Sequence, residues 1–273
     1  MKKKNTLGLI GLASICLGAC GSQETLTVYT ESGFAPFEYV DDGAIVGVDV
    51  DIMEMVGEKL NKKIIFEDVS FDVIVDTVSE GKLTNIGAAG LSITEARKEK
   101  VDFSKVYYQA NLYAIYSSEV ESSITKTMSD GNKGTYWGNL NSTKGIGVQG
   151  GTTADLFIGD EIAEGGSLEG TKVANYQSLQ VAVSDIGLNI DYVVIDELPA
   201  KQLIKNKTNL NCCPIYYEGE TEDELAYDEY AICVTKGQTE ILNAINSVLD
   251  ELLVEDSSGV NGVQKLVNKH LGI

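Results

Sequence analysis

Hydrophobic patterns typical of strands and of helices alternate from the first part of the chain onward. Between residues 26 and 90, "LTVYT", "KIIFE" and "NIGAAG" are short, β-branched or apolar, as strands are. "VDIMEMVGEKLN" (50–61) and "FDVIVDTVSEGK" (71–82) separate them and carry apolar residues at helical spacing. This β-α-β-α-β run predicts an α/β fold with a mainly parallel sheet.

A second run of the same kind follows without repeating the first in sequence. The predicted strands are 111–117, 144–149, 173–178, 191–196 and 230–237, and the predicted helices are 152–164, 179–188, 240–255 and 263–272. Two successive α/β units favour two lobes that face a shared cleft. Ligands of open α/β sheets bind at the carboxyl ends of strands, so we expect the site there.

The N-terminus has the pattern of a bacterial lipoprotein signal. Three lysines precede an apolar run from Leu7 to Ala19, which is shorter than the about 20 residues that span a bilayer. The run ends in "LGAC", which resembles a lipobox. We therefore predict a signal peptide over 1–19, a lipidated (palmitate-bearing) Cys20 and a tether over 20–24. An ordinary secretory signal with an incidental cysteine is the alternative.

A lipoprotein signal predicts an extracytoplasmic protein, anchored by lipid alone to the outer face of the cell membrane. The formal charge of the full chain is −20, and removal of the three signal lysines makes it −23. Such acidity argues against nucleic acid and anionic lipid headgroups as partners. It favours cationic or zwitterionic small ligands.

Three cysteines remain once Cys16 leaves with the signal and Cys20 is acylated. Cys212 and Cys213 are adjacent, and Cys233 follows. An oxidising compartment permits one bridge from Cys212 or Cys213 to Cys233, but buried free thiols are the favoured interpretation. The sequence has neither a CxxC pair nor a Cys/His spacing that would predict a metal site.

The stretch "GLSITEARKEKVDFS" (90–104) has the chemistry of an anion site. Gly90 and Ser92 expose backbone N–H groups just ahead of Arg97, whose planar guanidinium binds carboxylates through two parallel bonds. The alternative is a solvent-facing helix capped by Thr94, with Arg97 as an ordinary surface charge. The loop "QGGTT" (149–153) offers further N–H groups and hydroxyls before a helix.

Other motifs predict little. "GIGVQG" (145–150) matches a dinucleotide fingerprint, but Ile146 and Val148 belong to the strand itself instead of following it. "SITK" (123–126) lacks the partner motifs of β-lactamases. The single histidine, His270, lies in the last predicted helix. No cofactor is therefore expected, and hydrolase chemistry is disfavoured.

Several stretches, taken in order, resemble the polar amino-acid-binding proteins of bacterial ABC importers, extracellular solute-binding protein family 3. They are "FAPFEY" (34–39), "VGVDVDIMEMVGEKL" (46–60), "FDVIVDTVSEGKL" (71–83), "AAGLSITEARKEKVDFSKVYY" (88–108), "GIGVQGGTT" (145–153) and "DYVVIDE" (191–197). The resemblance runs from about Leu26 to the C-terminus. It implies a type II periplasmic-binding-protein fold, with two α/β lobes, two crossing strands as a hinge and a ligand cleft between the lobes.

The resemblance also implies lobe boundaries and partners. Lobe 1 would comprise 25–108 plus 230–273, and lobe 2 would comprise 109–229. The hinge would lie near 107–111 and 226–230. The ligand would be a free L-amino acid, delivered by a protein that acts as a monomer to an ABC permease with its ATPase.

The family's ligand contacts carry over onto matching positions. Arg97 would clamp the α-carboxylate, helped by Ala89, Gly90, Ser92, Thr152 and Thr153, and Asp196 would bind the α-ammonium. The side-chain pocket would comprise Glu31, Phe34, Phe71 and Gln149, with Asp49 nearby. Glutamate at 31 departs from the family's usual aspartate, and glutamine at 149 stands where some glutamine binders have lysine.

Ligand identity rests on the side-chain pocket. Acidic residues and aromatic walls, without a recognised basic residue, favour L-arginine or L-lysine. Glutamine or another neutral polar amino acid is the alternative. Two other classes share the fold: dehydratase-like enzymes, in which Glu31 would be the catalytic carboxylate, and ligand modules of chemoreceptors. The lipobox favours a transporter subunit over a receptor, and the prediction is a binding protein, not an enzyme.

Overall fold

The strands and helices follow the alternation that the sequence predicts. In the computed structural model, which describes residues 24–273, the strands are β1 (Thr25–Thr30), β2 (Gly33–Phe34), β3 (Glu38–Asp41), β4 (Ala44–Val46), β5 (Lys63–Asp68), β6 (Ile86–Gly87), β7 (Val101–Phe103), β8 (Tyr108–Ser117), β9 (Lys126–Thr127), β10 (Lys133–Tyr136), β11 (Ile146–Gln149), β12 (Val173–Tyr176), β13 (Tyr192–Asp196), β14 (Leu210–Tyr217), β15 (Glu224–Leu225), β16 (Tyr227–Tyr230) and β17 (Cys233–Thr235).

The α-helices are α1 (Val48–Leu60), α2 (Phe71–Glu80), α3 (Glu95–Lys98), α4 (Glu121–Ile124), α5 (Thr153–Ile162), α6 (Leu179–Ser184), α7 (Glu197–Ile204), α8 (Thr239–Leu252) and α9 (Gly262–Leu271). The predicted signal peptide and Cys20 lie outside the described residues. Within residues 24–273, every helix falls short of the length and apolarity that a bilayer crossing needs.

Lobe 1 is built on a five-stranded sheet in the order β5-β1-β6-β17-β7. Strands β5, β1 and β6 run parallel, whereas β17 is antiparallel to both of its neighbours. Helix α1 buries Ile52, Met53 and Val56 and ends at Asn61, which adopts a left-handed conformation (φ 53°) that asparagine tolerates. Helix α2 ends at Gly81, which also adopts a left-handed conformation (φ 63°) that glycine takes without strain. A small antiparallel sheet, β2-β3-β4, extends this lobe.

Lobe 2 is built on a nine-stranded mixed sheet whose main path is β12-β11-β13-β8-β14-β10-β9. Strands β12, β11 and β13 are parallel, but β8 enters from lobe 1 and runs antiparallel to both β13 and β14. The expectation of a mainly parallel sheet is therefore wrong for this lobe. The physical reason is topological, because the chain enters this lobe along the crossing strand β8 and not through a helix.

Two strands connect the lobes. The first part of β8 pairs antiparallel with β16, with Tyr108 opposite Tyr230 and Asn111 opposite Tyr227. Separate cores lie on the two sides of this connection: Val28, Ile52 and Ile245 are buried in lobe 1. Leu112 and Ile215 are buried in lobe 2. The chain is thus a two-lobe α/β fold with a cleft between the lobes.

The three described cysteines are divided between the sheets of the two lobes. Cys212 and Cys213 are on β14 in lobe 2, Cys233 is on β17 in lobe 1, and all three thiols are free. Successive residues of a strand point to opposite faces, so Cys212 and Cys213 face away from each other. The bridge that the sequence left open is therefore not formed.

Candidate ligand-binding site

A cavity lies between the lobes where several strands end. Residues that follow or end β1, β6, β11 and β13 converge on it with the starts of α2 and α5. This is the edge of an open α/β sheet at which ligands bind. The lining residues are Glu31, Phe34, Glu38, Phe71, Ala89, Gly90, Ser92, Gln149, Thr152, Thr153, Ala154, Leu179, Val194, Ile195 and Asp196.

Most of the residues singled out in the sequence line this one cavity. They are Glu31, Phe34, Phe71, Ala89, Gly90, Ser92, Gln149, Thr152, Thr153 and Asp196. Arg97 and Asp49 do not line its wall. Arg97 lies beside it, between Ser92 and Gly151, and Asp49 lies behind Gly90.

Arg97 bridges the two lobes through its guanidinium. Its Nη1 donates to the carbonyl oxygen of Ser92 at 2.6 Å, and its Nη2 donates to that of Gly151 at 2.9 Å. Three of the five N–H groups of this arginine therefore make no hydrogen bond within the described residues. The Phe71 ring lies 5.6 Å from the guanidinium carbon, within the range of a cation–π contact.

Thr94 caps the short helix that carries Arg97. Its hydroxyl oxygen accepts a hydrogen bond from the backbone N–H of Arg97 at 3.2 Å, the usual role of threonine at an N-cap. The prediction that Thr94 caps this helix is therefore confirmed. The alternative that Arg97 is a solvent-facing charge is wrong. Arg97 is only 9% exposed, because the helix directs it inward between the lobes.

Asp196 ends β13 with a carboxylate that has an unsatisfied oxygen. The side chain is buried, and its Oδ1 has no hydrogen-bond partner among the described residues. Burial first, and the nearby Asp228 second, raise the pKa of Asp196 well above its usual range. A cation placed in the cavity would pair with the charged form and so lower the pKa of Asp196.

Three carboxyl groups cluster at the Phe34 end of the cavity. Glu38 is completely buried, and neither of its carboxyl oxygens has a partner among residues 24–273. Its carboxyl faces that of Asp49, with Glu31 close enough to add a second repulsion. Burial and these neighbours raise the pKa of Glu38 well above its usual range. Burial also raises the pKa of Glu31.

Asp49 holds the cluster in place from behind. Its Oδ1 accepts from the Tyr107 hydroxyl at 2.5 Å, and its Oδ2 accepts from the Gly90 backbone N–H at 2.9 Å. Burial raises its pKa to about 6, although these two hydrogen bonds favour the charged form. Asp49 therefore fixes the Gly90 backbone and keeps negative charge next to Glu38.

Sequence reasoning missed two acidic residues of this region, Glu38 and Asp228. Glu38 stands inside "FAPFEY" and pairs across the hairpin with Phe34, a cavity residue. That strand alternation was the available signal, since Glu38 must point to one face and Tyr39 to the other. Asp228 lies on β16, where it accepts a hydrogen bond from the Thr153 hydroxyl.

Two lobes joined by paired crossing strands, with a buried polar cavity between them, define a solute-binding protein of the two-lobe α/β class. The family model for bacterial extracellular solute-binding proteins, family 3, matches residues 26–261. The chain belongs to this family.

Relatives and solved structures agree with that assignment. The probable histidine-binding protein of Campylobacter jejuni is 27% identical, with 92% of this chain and 93% of the relative covered. The L-arginine-binding protein of Pseudomonas aeruginosa is 27% identical, with 92% of each chain covered. An ancestral arginine-binding protein bound to glutamine superimposes with a TM-score of 0.71 at 28% identity, covering 92% of this chain and all of that one. These relatives carry the names of binding proteins.

Proposed function

We propose that this protein captures a free basic L-amino acid, L-arginine or L-lysine, and delivers it to an ABC permease with its ATPase. The observation that carries the proposal is the fully buried carboxyl of Glu38 in the cavity wall, whose oxygens have no hydrogen-bond partner among residues 24–273. A buried carboxylate without a partner is costly, so the site is suited to a ligand cation. Among residues 24–273, the cavity lining contains three acidic residues and no basic one.

The proposed pose uses both ends of the cavity. Arg97 binds the α-carboxylate with its remaining N–H groups, with the Ser92 and Thr152 region beside it. Asp196 binds the α-ammonium through its free oxygen. The side chain then passes between Phe34 and Phe71 toward the carboxyl cluster.

Closure of the lobes would complete this pose. We assign residues 25–108 plus 230–273 to lobe 1 and 109–229 to lobe 2, with the paired strands β8 and β16 as the hinge. Because Arg97 and Asp196 belong to different lobes under this assignment, a bound amino acid favours the closed form. Signal cleavage before Cys20 and lipidation of that cysteine would hold the monomer at the outer face of the cell membrane.

Glutamine is the second candidate ligand. A protonated Glu38 is neutral, and it can donate a hydrogen bond to a side-chain amide where a carboxylate cannot. The raised pKa of Glu38 makes this form available, and a similar arginine-binding protein has been solved with glutamine bound.

Calorimetric titration with each of the twenty amino acids tests the proposal. Arginine or lysine should bind with micromolar or better affinity, and Glu38→Gln should weaken that binding by roughly tenfold or more, because a charged hydrogen bond is lost. Glu54→Gln is the matched control, since Glu54 is exposed on α1 and outside the cavity lining. Tight glutamine binding without an arginine response would select the second candidate, and silence from all twenty would refute both.

A further inference from the structure

Asp228 is a buried carboxylate for which the proposed ligand pose has no role. It lies on the crossing strand β16, is 6% exposed and is absent from the cavity lining. Its Oδ2 accepts a hydrogen bond from the Thr153 hydroxyl. The Thr153 oxygen lies 3.1 Å from the Ser92 hydroxyl oxygen. These three side chains form a chain of contacts that we call the latch: Ser92, Thr153 and Asp228.

The latch joins different parts of the molecule. Thr153 begins α5 in lobe 2, whereas Ser92 follows β6 in lobe 1. The backbone of β16 is fastened to lobe 1 next to Ser92, because Ser92 forms an antiparallel bridge with Tyr230. The N–H of Ile93 also donates to the carbonyl of Glu229 at 3.2 Å. Asp228 thus lies on the hinge strand beside this fastened backbone, and the contact between the Thr153 and Ser92 hydroxyls crosses the cleft.

A second contact between the lobes ends on the same turn of lobe 2. Arg97 in lobe 1 donates to the carbonyl of Gly151 at 2.9 Å, two residues before Thr153. The positive guanidinium also stabilises the charged form of Asp228, although burial raises the pKa of that carboxyl overall. Both contacts end at the start of α5.

We infer that Asp228 is a positioning residue that stabilises the closed cleft from outside the ligand cavity. It does so by holding the Thr153 hydroxyl of lobe 2 against lobe 1. A hydroxyl bonded to a buried carboxylate is a charge-assisted hydrogen bond, which is stronger than a neutral one. Opening the lobes separates the Thr153 hydroxyl from Ser92, so the contact that Asp228 holds in place contributes to the closed state alone.

The consequence is an affinity set partly by a residue that does not touch the ligand. Apparent affinity falls in proportion to the fraction of protein in the binding-competent state. Loss of the latch lowers that fraction equally for every ligand, so it weakens binding without changing the order of preference among amino acids. This effect on affinity rests on the proposed function, whereas the effect on lobe closure does not.

A rival role for Asp228 predicts the opposite sign. The carboxylate occupies a donor, the Thr153 hydroxyl, that a ligand α-carboxylate would also use. If Asp228 competed with the ligand for that donor, its removal would tighten binding. Its position outside the cavity lining argues for the latch.

The experiment compares Asp228→Ala and Asp228→Asn with Glu229→Ala in the whole protein. Glu229 is the matched control, because it is the exposed neighbour on the same strand. Titration with L-arginine should give a Kd about tenfold higher for Asp228→Ala, a smaller rise for Asp228→Asn, which keeps a carbonyl acceptor, and no change for the control. Small-angle X-ray scattering without amino acid should give a larger radius of gyration for Asp228→Ala than for the parent.

An unchanged or lower Kd for Asp228→Ala, or an unchanged radius of gyration, would overturn the latch. The scattering arm needs no ligand, so it still decides if arginine fails to bind and the proposed function is wrong. If Asp228→Ala does not fold, Thr153→Val removes the other half of the bond. Its radius of gyration without ligand must then exceed that of the parent, and equality refutes the inference.

Discussion

Glu38 and Asp49 determine the charge at the side-chain end of the cavity. Burial raises the pKa of Asp49 to about 6 and that of Glu38 well above its usual range. Both shifts favour the protonated forms of these carboxyls. A bound guanidinium or ammonium favours the ionised carboxyls and lowers both pKa values. We predict that arginine binding releases protons and that its affinity rises as the pH increases through about 6, the pKa of Asp49.

Calorimetry in buffers of different ionisation enthalpy measures this release directly. At pH 7 the observed enthalpy of arginine binding should depend on the buffer, with net proton release from the protein. Glu38→Gln should reduce the number of protons released, while Glu54→Gln should leave it unchanged. An enthalpy that is independent of buffer would contradict the proposed contact between the ligand cation and this pair.

Arg97 is the residue for which lysine is the most informative replacement. A lysine keeps the positive charge but cannot hold the carbonyls of Ser92 and Gly151 while presenting two parallel N–H groups to a carboxylate. Arg97→Lys should raise the Kd for the preferred amino acid by roughly 100-fold, or about 3 kcal/mol. Lys98→Gln, an exposed change on the same helix, serves as the control in the same titration. A Kd for Arg97→Lys within threefold of the parent value would exclude a bidentate role.

Site residues could be predicted from the sequence where the residues around them form a recognisable local pattern. Arg97 and Thr94 stand within one short motif, and Asp196 ends a clearly patterned strand, so their places followed from neighbouring residues. Glu38 and Asp228 carry the same residue types as many solvated carboxylates. Their burial arises from a hairpin folding against α1 and from a crossing strand covered by two lobes, and both are contacts between segments distant in the chain.

Two helical glycines with different surroundings test how the helices are packed. Gly57 in α1 faces β5, and a Cβ there would lie 2.7 Å from Ile64 Cγ1 and 2.8 Å from the Lys62 carbonyl oxygen. Gly159 in α5 is exposed, with no atom within 4 Å of a built Cβ. Gly57→Ala should cost about 1–3 kcal/mol of unfolding free energy. Gly159→Ala should add about 0.5–1 kcal/mol, since alanine is the better helix former.

Denaturant unfolding of the two variants, followed by circular dichroism, measures both changes. Each substitution serves as the control for the other, because the chemical change is the same. Two shifts of the same sign would contradict the packing of α1 on β5 or the exposure of α5.

Periodicity predicted the long elements and missed those that depend on partners. Helix α1 and strand β5 begin within two residues of their predicted starts. Strand β14 contains Pro214, which has no N–H for pairing and hides the strand pattern. Strand β6 was predicted over 85–90 but spans Ile86–Gly87, because the residues after it leave the sheet to line the cavity.

The path of the chain builds lobe 1 from two separate segments and lobe 2 from one. The sheet of lobe 1 includes β17 between β6 and β7, although β17 follows all of lobe 2 in sequence. Its core combines Val28 and Ile52 with Ile232 and Ile245 from the C-terminal segment. The lobe 2 core is drawn from a single continuous stretch of chain. Lobe 2 is therefore an insertion into lobe 1.

This difference predicts how fragments fold. Residues 109–229 alone should fold and unfold cooperatively, because their core clusters lie within the segment. Residues 25–108 alone should remain unfolded, since they lack β17 and α8. Joining 25–108 to 230–273 should restore folding through a glycine-rich linker of about four residues, because Tyr108 pairs directly with Tyr230. Circular dichroism melts of the three proteins decide, and a cooperative transition for 25–108 alone would refute the interleaved core.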